Sequence, residues 1–179
     1  GRMGYRGSLF YTVVALVLAS AAPAAAEPPK DWTLLVYLAA DNNLDQAGLD
    51  DLNEMEKVGS NDRVNVVCLF DRRDGWETTR RYFVQKDDKP DEITSPYEDL
   101  GELNMGNPQT LEAFVSWGAA AYPARHTALI LWNHGSGWQK REPPEVHIEN
   151  ICSDDTDHDE ITTTELTQSL GLLTGNGDQ

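Results

Sequence analysis

The stretch Trp-Thr-Leu-Leu-Val-Tyr-Leu-Ala-Ala, residues 32–40, constrains this chain more than any other. It is almost unbroken apolar sequence, rich in strand formers and with no polar face. A strand of that kind is buried on both sides, so other elements must cover each face. Two further runs have the same character: Val-Asn-Val-Val-Cys-Leu-Phe-Asp at 64–71 and His-Thr-Ala-Leu-Ile-Leu-Trp-Asn-His-Gly at 126–135. The intervening segments read as helices. Residues 44, 47, 49, 52, 55 and 58 are apolar at near-helical spacing, the pattern stops at Gly59, and Asp41 or Asn42 can cap its start. Residues 107–123 open with Pro108 and close before Pro123. A third helix spans 161–171, opened by a threonine and with Glu165 in its first turns. After the second strand, Asp74-Gly75 turns the chain into a hairpin strand at 78–85, followed by a charged loop.

Strand, helix, strand, helix, strand, helix is the order of an α/β fold with a mostly parallel sheet and helices on its faces. Ligands of such sheets bind beyond the carboxyl ends of the strands. The ends available are Ala-Ala-Asp-Asn-Asn, Leu-Phe-Asp-Arg-Arg-Asp-Gly and Trp-Asn-His-Gly-Ser-Gly-Trp. Asp41 and His134 therefore lie where a site belongs. His134 has three readings, a general base, a metal ligand or a turn residue. Gly135 either makes a tight turn or presents an open N–H to an oxyanion. Ser136 is not a nucleophile of the Gly-x-Ser-x-Gly kind, because residues 134 and 138 are His and Trp and a proline-containing loop follows instead of a helix.

Charge and length limit the function classes. The 179 residues suffice for one domain with a sizeable core, and the net charge of −16 argues against nucleic acid as a partner. Residues 1–26 contain Arg2 and Arg6 and no acids, so the remainder holds 12 basic and 30 acidic groups, or −18. That segment has a basic start, an apolar run of 14 residues at 9–22 and small residues before Ala26. These are the parts of a signal peptide, with a run too short for a comfortable membrane span. The expectation is an exported protein, secreted or periplasmic, without stable membrane insertion once the signal is removed.

Two cysteines are too few for a disulfide framework. Cys68 lies in an apolar strand. Cys152 lies beside carboxylates that would raise its thiol pKa, which makes it a poor nucleophile, and a bridge between the two remains open. In Ser-Asp-Asp-Thr-Asp-His-Asp-Glu, 153–160, the carboxylates Asp155, Asp157 and Asp159 alternate as in a calcium loop. Glu160 and Leu166 stand where an EF-hand needs Gly and Glu. The run is thus a solvated turn before a helix, with calcium or another hard cation left open. His126, His147 and His158 show no ligand spacing.

The segments Leu-Leu-Val-Tyr-Leu-Ala-Ala-Asp-Asn-Asn-Leu-Asp, Ala-Leu-Ile-Leu-Trp-Asn-His-Gly-Ser-Gly-Trp and Cys-Ser-Asp-Asp-Thr-Asp-His-Asp-Glu-Ile-Thr-Thr-Thr-Glu-Leu, in that order, resemble the clostripain family of cysteine peptidases. That family shares a clan with caspases, gingipains and legumain. The likeness runs over about residues 32–170. It implies a caspase-like three-layer sandwich, with 27–179 as the N-terminal portion of a peptidase domain that is incomplete at its C-terminus. It implies a His-Cys dyad in which His134 is the histidine and Gly135 N–H supports the oxyanion. The substrates implied are proteins or peptides with Arg or Lys before the scissile bond. The family nucleophile lies after the third helix in an Asp-x-Cys segment, and neither cysteine here occupies that position. Lys140 and Arg141, in an expected loop, are a candidate processing site. The alternative reading is a non-catalytic caspase-like module that binds a peptide or a surface.

Overall fold

The computed structural model describes residues 28–76, 78–134 and 150–175. Among the described residues ten elements follow one another: β1 (Lys30–Ala40), α1 (Asp45–Glu56), β2 (Val64–Arg72), β3 (Arg80–Phe83), β4 (Tyr97–Asp99), α2 (Pro108–Ala121), β5 (Ala124–Trp132), β6 (Asn150–Asp154), β7 (Asp159–Thr162) and α3 (Thr163–Thr174). The main sheet has the order β4-β3-β2-β1-β5, and β6 and β7 form a separate antiparallel pair. β1 pairs in parallel with β2 on one side, Leu35 opposite Val67, and with β5 on the other, Leu35 opposite Leu129. β3 and β4 extend the sheet in antiparallel fashion.

The central place of β1 follows from its composition. Leu35, Tyr37 and Ala39 point into a core shared with Leu111 and Phe114 of α2, Ile161 of β7 and Cys152 of β6. Val36, Leu38 and Ala40 point into a second core with Leu52 of α1 and with Cys68 and Phe70 of β2. Alternate residues of one strand thus face different helical layers, with α1 on one side and α2 and α3 on the other. Every residue from Leu35 to Ala40 is at most 5 % exposed. Removing apolar surface of this kind from water contributes about 25 cal/mol per Å2. β5 is the sheet's edge among the described residues and is only half buried, with Ile130 exposed. Trp132 ties it to the α1 layer, its indole N–H donating to Asp51 Oδ2 at 2.6 Å.

The expected helices form with shifted ends. α1 starts at Asp45 and no side chain caps it from the N-cap position, which is Leu44. Asn42 acts two residues earlier, its Oδ1 accepting from Leu44 N–H at 2.9 Å, and Asp41 does not cap the helix. α2 begins as expected, with Asn107 as N-cap and Pro108 in the first turn. α3 begins at Thr163 because residues 159–162 form β7, and Thr162 with Glu165 makes a reciprocal capping box. The chain leaves α1 through Gly59 at φ +62°, where an added Cβ would lie 2.1 Å from the backbone nitrogen of Lys86. Gly106 allows the loop before α2 to lie against the β6–β7 hairpin, since a Cβ there would sit 2.4 Å from the carbonyl carbon of Asp159.

The open question of a disulfide is closed by the layers. Cys68 and Cys152 are free and lie in different cores, on opposite faces of the sheet. No helix among the described residues is long and apolar enough to cross a membrane. The expected signal segment at 1–26 lies outside the described residues.

Candidate active site

The carboxyl ends of β1, β2 and β5 meet at one edge of the sheet, since the parallel register sets Ala40 beside Arg72 and Leu38 beside Trp132. Three neighbouring asparagines build this edge. Asn42 follows β1, and its amide NH2 donates to the carbonyls of Ala39 (3.2 Å) and Ser153 (3.0 Å). Asn133 follows β5, and its amide NH2 donates to the same two carbonyls, at 2.6 and 3.0 Å. The ends of two strands and the β6–β7 hairpin are thereby joined. Ser153 Oγ adds a bond to Asn133 Oδ1 at 3.4 Å.

His134 is the next residue and is exposed at this edge, two residues past the end of β5. Its Nε2 lies 2.8 Å from Asn43 Oδ1. A carbonyl oxygen only accepts, so Nε2–H donates in this contact. The arrangement presents an oriented, solvent-accessible imidazole at the place where parallel α/β sheets bind ligands. Asn43 was not singled out as a site residue from the sequence; its signals were a place three residues past the end of β1 and within the Asp-Asn-Asn-Leu segment. Gly135, Ser136, Lys140, Arg141 and His147 lie outside the described residues.

Neither cysteine reaches the histidine's edge as a nucleophile. Cys152 is fully buried under α2, and burial pushes its thiol up to about 12. The sequence anticipated a raised value from neighbouring carboxylates, and burial in the apolar core is the cause instead. Cys68 is fully buried too, and burial raises its thiol further.

A second group of side chains gathers at this end of the sheet. Asp41 follows β1, Asp71 lies in β2, Glu102 lies in the loop before α2 and Asp154 ends β6. One carboxylate oxygen of each lies within 4.8 Å of the others. Asp41, Asp71 and Asp154 are at most 2 % exposed, while Glu102 is exposed. Burial raises Asp71 to about 8; the nearby charge of Glu102 adds to this, and the hydroxyl of Thr79 opposes it. Glu102 rises to about 7 from loss of solvent and then from Asp154 and Asp41. Asp154 rises to about 6 through burial, opposed by the backbone N–H groups of Asp157 and Met105. Like charges crowded away from water cannot all stay ionised unaided. The acidic run therefore contributes Asp154, not the alternating Asp155, Asp157 and Asp159 read from sequence. Asp155 instead reaches Arg73 at 3.4 Å, and Asp159 accepts from Asn104 at 2.8 Å.

Comparisons with known proteins give the family and the fold. The model of the clostripain family matches residues 36–177. Clostripain from Hathewaya histolytica is 31% identical over 150 residues, covering 71% of this chain and 27% of clostripain. The chain thus spans about a quarter of the length of that curated relative. Two solved structures share the fold. One is a B. fragilis cysteine protease, at 23% identity and a TM-score of 0.51, covering 65% of this chain and 98% of that one. The other is a secreted cysteine protease from Bacteroides thetaiotaomicron in complex with an irreversible peptide inhibitor, at 22% identity and a TM-score of 0.57, covering 80% of this chain and 39% of that one.

Proposed function

The chain belongs to the clostripain family, and from that premise we propose that residues 27–179 carry the histidine half of a cysteine endopeptidase that cleaves after Arg or Lys. The observation behind this reading is the position of His134, exposed at the carboxyl edge of a parallel sheet with Nε2 held 2.8 Å from Asn43 Oδ1. In this mechanism a thiol from a segment outside these 179 residues gives its proton to His134 and attacks the scissile carbonyl carbon as the thiolate. His134 protonates the leaving amine as the C–N bond breaks, and water then hydrolyses the thioester. Gly135 N–H donates to the oxyanion. The nucleophile comes from elsewhere because both cysteines here are buried, with thiol pKa values raised by burial.

The half-buried edge strand β5 supports the same reading. A parallel neighbour pairing there would end beside His134 and bring its last side chain within reach. Residues 1–26 act as the export signal in this proposal, and Lys140-Arg141 is a bond that an enzyme with basic specificity would cut. The decisive experiment uses the complete protein and an arginyl amide. His134→Ala should lower turnover by about 10²-fold or more, the scale of a lost acid–base group, with an unchanged circular dichroism spectrum. Ser136→Ala should cost far less. Full activity in the His134 variant would remove this mechanism.

A further inference from the structure

On the reading of His134 as the dyad histidine, on which this inference rests, we propose that Asn43 is its positioning residue and makes Nδ1 the imidazole nitrogen that moves the proton. Asn43 Oδ1 lies 2.8 Å from Nε2. An imidazole that serves first as base and then as acid passes through its doubly protonated form, in which both ring nitrogens donate. Only an acceptor can face Nε2 in that form. The amide oxygen of Asn43 is such an acceptor, and its NH2 is not. With Nε2–H engaged throughout, Nδ1 takes the proton of the attacking thiol and gives it to the amine nitrogen as the C–N bond breaks. A hydrogen bond to the charged ring is stronger than one to the neutral ring, so Asn43 favours the form that protonates the leaving amine.

The two side chains ride on one bracket. The residues directly before them, Asn42 and Asn133, grip the same pair of carbonyls, those of Ala39 and Ser153. Asn43 and His134 are therefore set side by side although 91 positions separate them in the chain. Asn43 is also enclosed in a tight turn. Leu44 N–H donates to Asn42 Oδ1 at 2.9 Å, and Asp45 N–H donates to the Asn42 carbonyl at 3.2 Å. The far side of that turn is pinned by the two bonds between Asp45 and Arg72. Asn43 itself is exposed and belongs to neither apolar core, so packing does not account for where its amide lies. A side chain held this firmly, with its oxygen on an exposed imidazole, fixes the ring's direction before substrate arrives. Order supplied in advance in this way lowers the barrier to the reacting geometry.

The test uses the complete protein and an arginyl amide. Asn43→Ala should lower kcat by about 10–100-fold, the scale of a hydrogen bond to a charged group. KM should change by less than about twofold, since the bond matters while the proton moves and not while substrate binds. Asn43→Asp keeps an oxygen in the same place and should retain most of the parent's kcat. In the His134→Ala background, Asn43→Ala should bring no further loss, because a positioning residue acts only through the group it holds. A purely structural role would lower activity in both backgrounds. Melting temperatures of the Asn43 variants should match the parent's. Four results would each overturn the proposal: a parental kcat in Asn43→Ala, a raised KM at constant kcat, an Asn43→Asp variant as slow as Asn43→Ala, or an undiminished further loss on top of His134→Ala. A slow His134→Ala beside a fully active Asn43→Ala would remove Asn43 alone. A fully active His134→Ala would remove the dyad reading and Asn43's role with it.

Discussion

Replacing Asp45 by Asn should destabilise the protein by about 3 kcal/mol, a large share of the stability of a domain this size. Asp45 and Arg72 make a two-pronged contact, Nε to Oδ1 at 2.8 Å and Nη2 to Oδ2 at 2.6 Å. Each side chain is only 10% exposed. Breaking a buried pair by removing one charge typically costs about 3–5 kcal/mol, because the partner stays buried and uncompensated. Two features adjust that figure here. Asn can still accept one bond, and Arg72 keeps the face of Trp76 at 4.4 Å, so the loss falls to about 2–3 kcal/mol. Asp45 also lies in the first turn of α1, where a negative charge favours the helix by about 0.3–1 kcal/mol. Chemical denaturation of parent and variant, read by circular dichroism, measures the difference. Glu54→Gln is the control, since its pair with Lys57 is 68% and 58% exposed and should contribute less than about 0.5 kcal/mol. High salt should erase the control's effect and leave most of Asp45's, as screening acts on exposed charges. A loss below about 1 kcal/mol for Asp45→Asn, or one that disappears in salt, would refute the assignment of this pair as a buried anchor.

Thr162→Ala removes one half of the capping box of α3 and should cost about 1 kcal/mol, read as a lowered melting temperature, while Thr163→Ala should cost less. Both thiols should resist a colorimetric disulfide reagent at pH 8 in native protein and react promptly in urea, since burial disfavours their thiolates. The sign of the pH effect follows from the direction of the shift. The Cys152 thiol titrates at about 12 in the fold against 9.0 for a free thiol, so its contribution to stability is complete below pH 9 and is lost as pH rises toward 12. Alkaline denaturation that is unchanged by Cys152→Ala would contradict this account.

The sandwich was legible because its signals are local. Residues 32–40, 64–71 and 126–135 each announce a strand within one short window, and the helices between them show the matching period; the third was expected to be buried on both faces and is instead a half-buried edge among the described residues. The position of His134 followed from the end of such a strand. Other features left no local mark. β4 has three residues, all exposed, and among the described residues pairs only with β3. The β6–β7 hairpin was read as a solvated turn because it is rich in acids, and its bends fall on Cys152 and His158 at φ +58° and +55°, not on glycines. The carboxylate cluster draws residues from 41 to 154, a juxtaposition that only the folded topology creates. Asp41 stood out as the residue beyond a strand, and Asp71 shared a strand end, but nothing near Glu102 in sequence distinguished it from a loop acid.

The paired amides of Asn42 and Asn133 have a consequence for how the histidine's setting responds to its surroundings. Both grip the carbonyls of Ala39 and Ser153, so the turn carrying His134 is fastened by groups that neither gain nor lose a proton. Salt has little purchase on such a fastening, since no net charge is involved. The carboxylates a few residues away, whose pKa values burial raises, respond to acidity. The mount of the imidazole, and with it the reference frame for any incoming carbonyl, therefore stays fixed while the charge around it varies.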